Sequence, residues 1–234
     1  MSADPAVVEA LSGGALEIVG RMPNSSNATF LVTVGDPSDG VRGIYKPLRG
    51  ERPLWDFDPG LYKHEVAAYR VSEALGWDLV PPTVVCDGPY GEGSVQLFVD
   101  FDPAEHYFSL YESRPDLHDS LRKMALFDVV TNNTDRKGGH VLIDVEGRVW
   151  GIDHGVCFSP EFKLRTVIWE FGGQPIDDEL LAPMQPWLDG VPLHVAALLT
   201  EDEIDAMQER IDWLIDAREF PVPESRYQYP WPLL

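Results

Sequence analysis

The sequence predicts an α+β chain of two unequal lobes, on three observations. Short apolar runs broken by turn residues fill the first hundred positions around one helical pattern. Helical periodicity dominates after about residue 101, and one hairpin pattern interrupts that second half. The expected division is residues 1–100, β-rich with one main helix, and residues 101–234, compact and mostly helical. A cleft between two such lobes is a common ligand site.

The elements follow in order. Residues 5–12 are a short helix candidate. Leu16 to Gly20 and Ala28 to Val34 read as strands around the polar turn Pro23-Asn24-Ser25-Ser26-Asn27. Gly43 to Lys46 is a third strand, stopped by Pro47 and followed by a charged loop through Pro59. Residues 61–75 carry Val66, Tyr69, Ala74 and Leu75 on one helical face, with Gly76 as the stop. Val80 to Cys86 and Ser94 to Val99 are strands around a turn at 87–91. Residues 117–131 form an apolar helix that runs into a polar loop from Asn132 to His140. Val141 to Asp144 and Arg148 to Ile152 make a hairpin around Glu146-Gly147. Residues 178–188 and 201–218 read as acidic helices. Four prolines and three aromatics in residues 221–234 predict a strap packed on the body or a partner motif, the packed strap fitting better because exposed aromatics are costly in water.

Composition narrows the function. The 234 residues are 44% hydrophobic, which excludes a wholly disordered chain. Lys and Arg number 18 against 39 Asp and Glu, a net charge of −21. That balance argues against nucleic-acid binding and against stable docking on an anionic membrane. Cys86 and Cys157 stand far apart, in no metal spacing and no disulfide framework. With no basic leader and no apolar run long enough for a membrane span, the expectation is a soluble cytoplasmic protein.

Three segments carry candidate chemistry: Lys46, the loop Asn132 to His140, and Asp153-His154-Gly155. The loop places two Asn, an Asp, two cations and two Gly between an apolar helix and a hairpin. Asp135 is suited to accept a hydroxyl proton, and Arg136 and Lys137 to hold a polyanion. The glycines permit close backbone approach. Asp153 ends a strand before Gly155, a way to present a carboxylate to Mg²⁺. The hairpin between the two loops brings Asp135 and Asp153 to one end, as phosphoryl transfer requires of a base and a metal ligand. Lys46, set between Tyr45 and Pro47, needs a partner for its head, and Glu65 on the next helix is the natural one. Arg165 and Lys163, after the Asp-x-Gly, are the only nearby basic pair for an acidic acceptor, though they read better as a solvated segment, and His154 reads as a strand-end residue facing solvent.

This ordered set of strand Lys, helix Glu, loop Asp and Asp-x-Gly resembles the protein-kinase-like fold. It is more closely similar to the phosphatidylinositol 3/4-kinase-like branch, especially type II phosphatidylinositol 4-kinases and bacterial HipA-like kinases. The resemblance covers about residues 20–160 and rests most on Asn133-Thr134-Asp135-Arg136 and Ile152-Asp153-His154-Gly155. It implies ATP as cofactor with Mg²⁺ or Mn²⁺. Ser25, Ser26 and Asn27 would form the phosphate loop, with Lys46 on the α/β-phosphates, oriented by Glu65. Gln96, Phe98 and Val99 would border the adenine, with backbone groups near Phe98 and Val99 bonding it. Asp135 would orient or deprotonate the acceptor hydroxyl, Lys137 would sit near the γ-phosphate, and Asp153 would bind metal. His140 stands where the family has a metal-binding Asn; either it ligates Mn²⁺ or a similar ion, or it packs and Asp153 holds the metal mainly alone. The phosphate loop lacks glycine between Arg21 and Val34, and no membrane-binding segment appears.

The implied activity is transfer of the γ-phosphoryl group of ATP to a hydroxyl. The acceptor is a soluble inositol- or sugar-like molecule or a protein Ser/Thr. The alternative is a nucleotide-binding pseudokinase acting as a regulatory module, and a protein partner fits either reading.

Overall fold

The structure, a computed structural model, describes residues 5–23, 25–36 and 38–234; Asn24 of the expected turn lies outside them. A short helix α1 (Pro5–Gly13) precedes strands β1 (Leu16–Arg21), β2 (Phe30–Val34) and β3 (Val41–Pro47). Helix α2 (Leu61–Ala74) and strands β4 (Thr83–Gly88) and β5 (Gly91–Leu97) complete an antiparallel sheet of order β1-β2-β3-β5-β4.

Strand alternation sorts the two faces of this sheet. Tyr45 joins Leu11, Val32, Val34, Val84 and Val95 in a small core under α1. Lys46, one residue on, turns to the opposite face, where α2 lies. Helix α2 has no side-chain cap at Gly60. Instead the Glu51 carboxylate accepts from the backbone N–H groups of Gly60 and Tyr62 at 2.8 and 2.9 Å.

The second half contains α3 (Tyr107–Ser113), α4 (His118–Val130), the hairpin β6 (Val141–Ile143) and β7 (Val149–Gly151), then α5 (Asp178–Leu181), α6 (Leu193–Ala196) and α7 (Glu201–Ala217). The larger core runs from Ala67 on α2 to Phe220 and includes Met124, Phe127, Phe158, Met207 and Ile211. The acidic helix expected over 178–188 is broken. It ends as α5, and a 3₁₀ turn at Gln185–Leu188 follows, because Pro183 and Pro186 lack the N–H a continuous helix needs. Helix α3 was not expected; His106 and Ser109 cap each other's backbone and start it. Among the described residues no helix is long and apolar enough to cross a membrane.

Candidate active site

Three elements converge where β3, α2 and the end of β7 meet. The Lys46 ammonium donates to Glu65 Oε1 of α2 and, at 2.8 Å, to Asp153 Oδ1. Glu65 Oε2 accepts from the His154 backbone N–H at 3.1 Å. One carboxylate, only 3% exposed, therefore ties the strand lysine to the loop after β7. Burial works against the charged form of Lys46, but Asp153 and Glu65 more than offset it and raise its pKa. Lys46 in turn holds the Asp153 carboxyl well below the usual range, against the opposing effect of burial.

Asp153 adopts a left-handed φ of 63°, a conformation that costs a non-glycine residue about 1–3 kcal/mol. Its side chain is 52% exposed, and Oδ2 lies 3.5 Å from His140 Nε2. Burial lowers the His140 pKa, which leaves its imidazole neutral at pH 7 despite Asp153 nearby.

Polar residues that the interior would otherwise reject build the loop after α4. Asn132 Nδ2 donates to the carbonyls of Ser159 and Glu161, both at 2.8 Å, and its Oδ1 accepts from Lys163 N–H. Thr134 donates through Oγ1 to Val156 O. Asn133 donates to Asp128 and accepts from the Asp135 N–H at 3.0 Å, which fixes Asp135 at the loop tip. Lys137 Nζ donates to Asp135 Oδ2 at 2.8 Å.

Arg136 corrects its expectation. It is fully buried, so its guanidinium does not hold a polyanion. It donates through Nε to both oxygens of Asp128, through Nη1 to Ile152 O at 2.9 Å, and through Nη2 to His154 Nε2 at 2.6 Å. It ties the Asp135 loop to the residues flanking Asp153. His154 is also corrected, being fully buried rather than solvent-facing. Burial and then Arg136 push its pKa well below 6.5.

The expected nucleotide contacts are only partly open. Ser25 Oγ bonds Thr29 Oγ1 at 2.8 Å, and Ser26 lies in the same β1–β2 connection. Asn27 Oδ1 accepts from the Arg52 N–H, so that side chain fastens the loop to the segment after β3. Gln96 is buried and donates to Thr83 Oγ1 at 2.9 Å. The Phe98 N–H donates to Arg42 O at 3.0 Å, extending the β5–β3 ladder by one bond, so of the backbone groups near Phe98 and Val99 this one is already paired. Val99 follows it where the chain leaves the sheet.

Two further residues shape the site. Asp128 on α4 is the buried counterion of the whole loop, hidden in an apolar helix pattern. Arg165 is exposed, as expected, and lines a cavity with Asp135, because its backbone is zipped to the loop by Arg165 N–H to Asn133 O and Arg136 N–H to Arg165 O.

On this protein-kinase-like fold, a match to a kinase family defines the class: a phosphotransferase with an alcohol group as acceptor. Residues 84–186 match the phosphatidylinositol 3- and 4-kinase family. The chain belongs to this phosphatidylinositol 3/4-kinase-like family. Protein Rv2133c of Mycobacterium tuberculosis is 41% identical over 95% of this chain and 93% of its own length. Phosphatidylinositol 4-kinase gamma 4 of Oryza sativa subsp. japonica is 28% identical over 53% of this chain, a stretch that spans 23% of the rice protein. A structure of hydra Fam20 with sugar superposes with a TM-score of 0.57 at 14% identity, covering 93% of this chain and 89% of that one. The Helicobacter pylori proinflammatory kinase CtkA superposes with a TM-score of 0.51 at 11% identity, covering 90% and 94%. At these identities the two structures establish the fold alone.

Proposed function

We propose that this chain transfers the γ-phosphoryl group of ATP to a hydroxyl of a soluble small molecule or a protein Ser/Thr. The observation that carries this reading is the Lys46 ammonium bonded to both Glu65 and Asp153, with Asp135 presented on the adjoining loop. Lys46 is placed to bind the α/β-phosphates, and Glu65 holds it there. Asp135 accepts the acceptor's hydroxyl proton as the new O–P bond forms and the bond from the γ-phosphorus to the bridging oxygen breaks, leaving ADP. Lys137, already on Asp135, offsets charge that develops on the transferred group.

The donors fit a divalent cation carried in with phosphate. Among the described residues no group of three or more His, Cys, Asp or Glu is placed to hold a metal unaided. Asp153, half exposed, would be its carboxylate ligand, with phosphate oxygens completing the shell as is usual for Mg²⁺, while the His140 imidazole, 3.5 Å from Asp153, would ligate only Mn²⁺ or a similar ion and otherwise pack. Bound there, Mg²⁺ or Mn²⁺ would neutralise charge on the phosphates.

His140 in place of the family's Asn also supports a second reading, a nucleotide-binding regulatory module without turnover. One experiment separates the two. Thermal-shift titration with ATP and metal should show binding that Lys46→Ala abolishes. Phosphoryl transfer or ATP hydrolysis should fall about 100-fold or more in Asp135→Asn. Turnover that survives both substitutions overturns the kinase reading, and binding without metal dependence or turnover selects the module.

A further inference from the structure

A cavity of about 670 Å³ opens beside Asp135, within the range of roughly 300–1,000 Å³ usual for small-molecule sites. Arg165 forms one side of it, and a turn of the 221–234 strap forms the other with Arg226, Tyr227, Tyr229 and Trp231.

The strap is fastened to the two segments that flank the cavity. The Thr166 N–H donates to Gln228 O at 3.1 Å, and the Gly138 N–H donates to Leu233 O at 2.7 Å. The movable end of the Leu234 side chain lies over Gly138, where a Cβ would meet its Cδ2 at 2.7 Å. The Tyr229 ring packs on Trp169 with centroids 6.2 Å apart. Gln228 Oε1 accepts from the Glu224 and Ser225 N–H groups, and Ser225 Oγ accepts from the Tyr227 N–H. These bonds shape the turn that presents Arg226, whose guanidinium lies 5.3 Å over the Tyr227 ring.

Two features of this cavity call for a ligand. Among the described residues neither Arg165 nor Arg226 forms an ion pair, in a chain where carboxylates outnumber cations 39 to 18. Tyr227 and Trp231 are 73% and 74% exposed, large aromatic surfaces left at the rim. Guanidinium forks recognise small oxyanions in two-pronged fashion, and aromatic rings supply apolar contact beside them.

We propose that Arg165 and residues 225–231 form the acceptor-recognition site. The acceptor is a soluble hydroxy compound carrying a small oxyanion, phosphate or carboxylate. Its hydroxyl meets Asp135 while Arg165 and Arg226 hold its anionic group. The proposal rests on the phosphoryl-transfer reading of Asp135. The net charge of −21 repels an anionic bilayer, which favours a free molecule over a lipid headgroup.

The test is calorimetric titration of the full chain, without nucleotide, with glycerol phosphate and with glycerate. The variants are Arg165→Gln/Arg226→Gln and a charge-matched control, Arg114→Gln/Lys123→Gln. Both cavity arginines are exposed, and thermal melting verifies that the variants fold. Saturable binding of either probe to the wild type is expected, weakened about tenfold or more in the cavity variant and unchanged in the control. The probe that binds identifies the oxyanion. No saturable binding of either probe, or an equal loss in the control, overturns the proposal. So does binding only to vesicles of phosphatidylcholine doped with phosphatidylinositol, or only to an acidic Ser-containing peptide. ATP binding by the wild type is measured separately. A chain that binds ATP but neither anion overturns the acceptor site alone. A chain that binds the anion but no ATP overturns the transfer reading, and the acceptor role with it.

Discussion

Arg136 and Asp128 are both completely removed from solvent, and their charges are tolerable only because they neutralise each other. Thr166 Oγ1 adds a third donor to Asp128, at 2.9 Å. Arg136→Leu would leave Asp128 charged and buried with two neutral donors. The expected cost is about 3–5 kcal/mol, a fall of roughly 10 °C in melting temperature by calorimetry. Converting Asp128 to Leu as well should recover part of that loss, since the remaining charge is removed with its partner. A single variant as stable as the wild type would show that water or another cation reaches Asp128.

Strand β5 approaches β3 so closely at Gly93 that a Cβ there would lie 2.4 Å from Lys46 O. That contact is backbone, so it has no rotamer to yield. Gly93→Ala should destabilise the sheet by about 1–3 kcal/mol in urea unfolding and weaken ATP binding, because the displaced carbonyl belongs to Lys46. Helix α7 is linked to the site from the other side. His64, on the same helix as Glu65, contacts Gly155 O through Nδ1 at 3.1 Å and Glu203 through Nε2 at 3.0 Å. Burial would raise the Glu203 carboxyl, but bonds from His64 and the Thr200 N–H more than offset it, and its pKa falls below the usual 4.5. The unfolded chain protonates Glu203 first, so its stabilisation is complete above about pH 4.5 and is lost as pH falls through the folded value. Glu203→Gln should therefore lower stability at pH 7 and flatten its decline below about pH 4.5, measured by urea melts across that range.

Over the whole molecule the charge is unevenly spread. Residues 177–219 hold twelve acids and two arginines, while Lys46, Lys137, Arg165 and Arg226 cluster about the site. Self-repulsion among the acids opposes folding and is screened by salt over about 10 Å at 0.1 M. Raising NaCl from about 0.01 to 0.15 M should raise the melting temperature. A fall instead would mean that the paired charges outweigh the repulsion.

The strands, helices α1, α2, α4 and α7, and the residue types of the site are readable from local sequence, whereas α3 and the break after α5 are not. Strand and helix periods are local properties, so Lys46, Glu65, Asp135 and Asp153 were each legible on the element that carries them. Pairing Lys46 with Glu65 followed from the need of a half-buried ammonium for a counterion. Which polar groups are spent inside depends on long-range packing. Arg136 and His154 looked like surface chemistry. Burial and hydrogen-bond partners come from residues distant in the chain, such as Asp128 and Ile152. The same holds for the cavity at Asp135, whose walls, Arg165 and Arg226, are some sixty residues apart in the chain and meet because Thr166, Gly138 and Trp169 hold the strap. Local periodicity carries no term for such long-range satisfaction of backbone groups, and that is why folding had to decide it.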